Sequence, residues 1–140
     1  MKTGSLLLFS ITFFSLMACG GSDMPAPMSA EERLALPADV AMGQALFREC
    51  KQCHTATPGG PNMIGPNLHD VVGRQAGGKA DFAYSTAMKR AEFTWDDTHL
   101  DQWLEQPQAL VPGNRMAYRG NPNPADRRDL IAYLASLSEE

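Results

Sequence analysis

The chain has 140 residues and a formal charge of −4, which suits one domain with accessories. The acidic balance argues against nucleic acid as a partner, because phosphate binding requires a basic face. Lys2 is the sole charge before Asp23, and the largely apolar run from Leu6 to Met17 has the length of a signal-peptide core and is too short to span a membrane. Residues 1–18 are therefore expected to be a signal peptide.

That run ends in Leu16-Met17-Ala18-Cys19. A small residue before a lone cysteine, with leucine third upstream, resembles the lipobox of bacterial lipoproteins. It implies that Cys19 becomes the lipid-bearing first residue; a plain secretory signal is the alternative. Lipidation also resolves the cysteine count, since three cysteines in an exported chain leave one unpaired. With Cys19 acylated, Cys50 and Cys53 remain together. Removing residues 1–18 takes away one cation and leaves 11 basic against 16 acidic side chains, a charge of −5. Residues 19–38 are rich in Gly, Ser, Met, Pro and Ala and read as a flexible tether. The stretch SAEERLAL within them reads alternatively as a short amphipathic turn lying on the domain.

Asp39 is placed to cap a helix over VAMGQALFREC, in which Val40, Gly43 and Phe47 share one face. The helix runs into Cys50-Lys51-Gln52-Cys53-His54, a C-x-x-C-H. In an exported chain this spacing points to one covalently attached haem c. Two thiols on one helical turn can each add to one of the two vinyl groups along the same haem edge. His54 then comes under the iron, where a neutral imidazole nitrogen binds. Other uses of the motif fit less well. A thioredoxin-type pair needs a βαβ setting, and nothing before Cys50 reads as a buried strand. Zinc would need a second Cys or His pair. A disulfide would close a very small ring and leave His54 without a role.

Further on, DDTHLDQWLEQP puts Leu100, Trp103 and Leu104 on one face and stops before Pro107. VPGNRMAYRG then sets Met116 in a polar, turn-rich loop with no apolar period around it. In the last element Asn123 caps, Pro124 takes the first helical position and Asp126 favours the positive end. Leu130, Ile131, Leu134 and Leu137 give it an apolar stripe. No stretch alternates convincingly as a strand, so the expected class is all-α. About 100 residues with many loops make a thin core. A haem would complete the interior, and the apo form should be poorly folded.

The order of Gly43, Phe47, CKQCH, GPNLHDVVGRQAG, YSTA, FTW, WLEQP, VPGNRM and DLIAYL resembles class I cytochrome c, in particular its mitochondrial-like branch. The resemblance runs from Asp39 to about Leu137 and implies short helices wrapped around one haem, with the domain at 39–140. It sets Met116 where that family's second axial ligand stands. A thioether is a soft, neutral ligand that suits reduced iron and raises the reduction potential. Met63 and Met88 are its rivals. Pro66 matches the proline whose carbonyl accepts a hydrogen bond from the ligand imidazole. Arg74, Tyr84 and Trp95 match residues that compensate the haem propionates. Gly43, Phe47, Leu130 and Tyr133 match the crossing of the first and last helices. His69 and His99 read as non-ligands.

The chain also departs from the family. Trp103 replaces a tyrosine whose hydroxyl contacts the methionine sulfur, Met88 replaces an asparagine of the same polar network, and Tyr118 replaces a phenylalanine. Most of the lysines ringing the exposed haem edge are missing; Lys51, Lys79, Lys89, Arg90, Arg115 and Arg119 remain nearby.

Two strong-field ligands leave no open coordination position, so the resemblance implies a monomeric electron-transfer protein rather than an enzyme. It would carry single electrons between membrane redox complexes facing the periplasm, from a bc-type complex to a terminal oxidase or reductase. Lipid anchoring would hold it to a membrane, with a soluble periplasmic protein as the alternative. A permanent haem subunit of a larger enzyme, or a haem enzyme or gas sensor with a displaceable Met116, are the competing functions.

Overall fold

The computed structural model describes Met1 and residues 26–138. The expected signal peptide, Cys19 and the first part of the tether lie outside the described residues. Six helices occur among those described: α1 (Ala30–Leu34), α2 (Val40–Cys50), α3 (Thr86–Lys89), α4 (Asp97–Glu105), α5 (Pro107–Leu110) and α6 (Pro124–Ala135). A single antiparallel bridge joins Gln75 to Thr94, and no strand occurs among the described residues. The fold is all-α. No described helix is long and apolar enough to cross a membrane.

The caps follow the sequence. Asp39 accepts the Met42 N–H at 3.0 Å and starts α2. Asn123 accepts the N–H groups of Ala125 and Asp126, with Pro124 in the first turn of α6. In α4 the cap is Asp96, which accepts the His99 N–H at 2.8 Å. That helix stops at Glu105 because Gln106, which precedes Pro107, is pushed out of the helical region to φ −156°.

The frame is the crossing of α2 and α6. A Cβ on Gly43 would lie 2.0 Å from the Asp129 carbonyl oxygen, so only glycine lets the two backbones meet there. One helical turn to the C-terminal side, Phe47 is fully buried and packs on Tyr133 with ring centroids 5.2 Å apart. Leu130, Ile131 and Leu134 complete that interface, while Leu137 is half-buried. Val40 was expected on the same face but stays exposed, because it sits one turn ahead of the crossing. Leu100, Trp103 and Leu104 bury the inner face of α4 against the same core.

The structure differs from a simple tether in residues 29–36. Ser29 and Glu32 form a capping box that starts α1. Arg33 pairs with Asp126 and, at 2.6 Å, with Asp129. Arg128 donates to the carbonyls of Arg33 and Leu36 at 2.9 and 2.7 Å. The stretch is therefore the docked turn, and among the described residues packed structure begins at Ser29 rather than Asp39. At its centre, Asp129 is fully buried and also accepts the Asp39 N–H at 3.0 Å. Burial resists its charge, but the Asp39 N–H, Arg128 and Arg33 outweigh that and hold its carboxyl below the usual range.

Candidate haem site

The last turn of α2 delivers the attachment motif. Cys50 ends the helix, and its carbonyl accepts from both the Cys53 and His54 N–H groups, at 3.0 and 2.9 Å. This continued turn keeps both thiols on one side of the chain. The two cysteines are half-buried and not joined to each other. Burial, reinforced by the neighbouring Glu49 charge, pushes the Cys50 thiol up to about 11. Redox-active cysteines need a lowered value, so the dithiol reading has no support here. Nor is there, among the described residues, a group of three His, Cys, Asp or Glu side chains suited to zinc.

His54 is oriented from both sides. Its Nδ1 donates to the Pro66 carbonyl at 2.7 Å, which leaves the Nε2 lone pair free to bind a metal. The ring lies against Gly65, where a Cβ would come within 2.2 Å of Cε1. Burial lowers the imidazole's proton affinity more than the Pro66 bond restores it, so the ring is neutral at pH 7.

The loop carrying Pro66 is held by a residue that sequence reasoning passed over. Asn67 is 4% exposed and donates through Nδ2 to the carbonyls of Thr57 and Gly60, at 2.9 and 2.8 Å. Its Oδ1 accepts the His69 N–H at 2.6 Å, and its own N–H reaches Asn62 at 2.9 Å. The only signal was an asparagine in a Pro/Gly-rich loop.

Arg74, Tyr84 and Trp95 are brought together. The Trp95 N–H donates to the Arg74 carbonyl at 2.9 Å, and the Arg74 guanidinium spans the carbonyls of Asn67 and His69. Burial pushes the Tyr84 phenol up, against the pull of the nearby Arg74 charge. Trp95 is buried, edge-on to Trp103 with centroids 5.3 Å apart. Trp103 thus fills the interior with an indole and brings no hydroxyl there.

Met116 lies in the segment after a tight turn at Pro112–Asn114, where Gly113 has φ 84°. It is half-buried and packs against the core. Asn114, 8% exposed, is the second residue that sequence reasoning missed. Its Nδ2 donates to the Pro107 and Val111 carbonyls at 3.0 and 2.9 Å, and its Oδ1 accepts the Met116 N–H at 2.9 Å. Beyond Met116, the Asn121 N–H bonds to the Leu104 carbonyl at 2.8 Å, and Gly120 lies where a Cβ would meet the Glu105 carbonyl at 1.9 Å. The methionine is therefore fastened on both sides. By contrast Met63 is 47% exposed, and Met88 is packed into the core at 6%. His99 is occupied elsewhere, paired with Asp96 at 2.8 Å and stacked on Phe93. His69 takes part in the site only through its backbone.

Two thiols on one turn, a neutral imidazole with a free nitrogen, a fastened thioether and a cluster of phenol, indole and guanidinium form a donor set that fits a haem and its propionates. With the helix crossing, they define a helical haem-attaching domain. A profile of the Cytochrome c family matches residues 40–138. Cytochrome c2 of Rhodomicrobium vannielii is 45% identical over 98 residues, covering 70% of this chain and 78% of that one. Cytochrome c of Chlamydomonas reinhardtii is 45% identical over 69% of this chain and 87% of its own length. Among solved structures, cytochrome cH from Methylobacterium extorquens aligns with a TM-score of 0.67 and 42% identity, over 71% of this chain and 99% of that one. The chain belongs to the cytochrome c family. It is a class I member whose cofactor is one haem c, attached covalently through Cys50 and Cys53, and it is a mono-haem electron carrier.

Proposed function

We propose that the protein carries single electrons between membrane redox complexes on the periplasmic side of a bacterial membrane, held there by a lipid on Cys19. In this reading His54 and Met116 would hold the haem iron. Pro66 orients the imidazole, and Arg74, Tyr84 and Trp95 compensate the propionates. Residues 1–18 are removed, and the chain from Cys19 to the docked α1 is the tether. The observation that carries the His54 assignment is the Nδ1–Pro66 bond at 2.7 Å, which leaves the other imidazole nitrogen free for a metal. When bound, the haem supplies a one-electron Fe(III)/Fe(II) couple. His54 and Met116 would both hold the iron, and the change of charge would then call for little rearrangement.

The charge bears on how partners are met. At −5 for the mature chain, with Lys79 paired to Asp81 at 3.0 Å, long-range steering towards acidic partners is weak. A lipid anchor raises the local concentration around membrane partners without needing charge. Tethering thus takes the place of steering. A redox-titrated visible spectrum showing a low-spin haem with a thioether band supports the ligand set, whereas a five-coordinate spectrum at neutral pH would favour a gas sensor. Stopped-flow oxidation by native membranes should depend mildly on salt, and should slow at every salt concentration when the chain is cut just before Ser29. Equal rates for the cut and anchored forms would refute the role of the tether.

A further inference from the structure

Residues 55–68, TATPGGPNMIGPNL, contain no charged side chain. Out of this loop stand Met63 at 47% and Ile64 at 79% exposure; Ile64 is the most exposed large apolar side chain among residues 26–138. The loop is braced. Thr55 Oγ1 donates to the Pro61 carbonyl at 2.6 Å, Asn62 Nδ2 to the Asp81 carbonyl at 3.0 Å, and Asn67 closes the stretch from Thr57 to Gly60. An apolar side chain held out on a pre-ordered loop has little conformational entropy left to lose when a partner covers it.

Its position gives the exposure a use. The Met63 N–H bonds to the Gly65 carbonyl at 2.9 Å, and the Gly65 N–H bonds to the Cys53 carbonyl at 2.8 Å. Gly65 is also the residue on which the His54 ring lies. Met63 and Ile64 therefore stand beside the attachment point at Cys53, where a redox partner must approach closely. We propose that they form an uncharged docking contact for a redox protein that presents an apolar, uncharged surface beside its own redox centre. The inference rests on the electron-carrier reading and adds the chemistry of the partner. Charge favours it over an acidic partner: such a surface would find no cation between residues 55 and 68, the motif's own exposed cation, Lys51, is offset by exposed Glu49 two positions before it, and Lys79 is paired with Asp81.

The test uses the full-length, haem-loaded protein and membranes from a strain lacking it. Ile64→Ser should lower the second-order rate of oxidation by about tenfold or more, the loss expected for one buried aliphatic side chain. The reduction potential and the rate with ferricyanide should stay unchanged, and Met63→Gln should act in the same direction. Ile64→Lys is the decisive variant: an apolar contact predicts slowing, whereas an acidic partner predicts acceleration at low salt and would overturn the proposal. Unchanged rates in all three variants would also overturn it. So would unchanged rates accompanied by lost self-association in sedimentation, which assigns the patch to a second copy, or by lost binding to phosphatidylglycerol vesicles, which assigns it to a bilayer. A wild type that fails to react with membranes would sink the carrier reading and this contact with it. Variants that match a reactive wild type would sink the contact alone.

Discussion

Asn114→Ala tests whether the loop bearing Met116 is a separately held unit. The substitution removes two bonds to carbonyls and one from the Met116 N–H, at 3.0, 2.9 and 2.9 Å. The Pro107 and Val111 carbonyls keep backbone donors, from Val111 and Asn114 at 3.0 and 3.1 Å, so neither is left wholly unsatisfied. At about 1 kcal/mol net for each bond, with a small offset for relaxation, the loop should lose about 2–3 kcal/mol. Its opening equilibrium then rises about 30- to 150-fold. The core under α2 and α6 makes none of these bonds, so global stability should fall by less. Urea titration of the oxidised protein reads both, the thioether band reporting the loop and far-UV circular dichroism the helices. The band should disappear at clearly lower urea than in the wild type while the helical signal moves little. If the two signals shift together, or the band does not shift, Asn114 is not what holds the methionine in place.

Met116→Ala should abolish the thioether band and lower the reduction potential, whereas Met63→Ala and Met88→Ala should keep the band; loss of the band in either of the latter would reassign the ligand. Gly43→Ala forces a methyl to within 2.0 Å of the Asp129 carbonyl and should cost about 3 kcal/mol in chemical denaturation, with the haem spectrum little changed. The Asp129 carboxyl has a lowered folded-state value, so its contribution is fully present above the unfolded value of about 3.9 and is lost as pH falls through the lower folded value. Asp129→Asn should accordingly flatten the acid limb of the stability profile. An identical acid limb in the variant would refute this. Metabolic labelling with a fatty acid should mark the wild type, and Cys19→Ser should release a soluble, unlabelled protein that keeps its haem spectrum.

The sequence by itself determined what depends on short separations along the chain. C-x-x-C-H names a cofactor because two thiols and an imidazole on one turn need no distant help to meet the same haem edge. The caps at Asp39 and Asn123 were legible because a cap bonds to N–H groups only two or three residues away. The stripe Leu130, Ile131, Leu134 was legible because helical period alone puts it on one face. The grouping of Arg74, Tyr84 and Trp95 came from resemblance to a family, and the structure shows the backbone and electrostatic contacts that join them. What only the tertiary structure decided lies where residues far apart in sequence meet. Nothing in the sequence marks Asp129 for burial, yet it is buried, with Arg33, from more than 90 positions away, closing over it. That contact turned the end of an apparent tether into a docked helix. Asn67 and Asn114 look like ordinary turn residues until the folded loops bring carbonyls to their amides. Gly65 looks like a turn glycine until the His54 ring arrives on it. Side chains that satisfy stray backbone groups carry no periodic or compositional mark, because their partners exist only once the chain has folded.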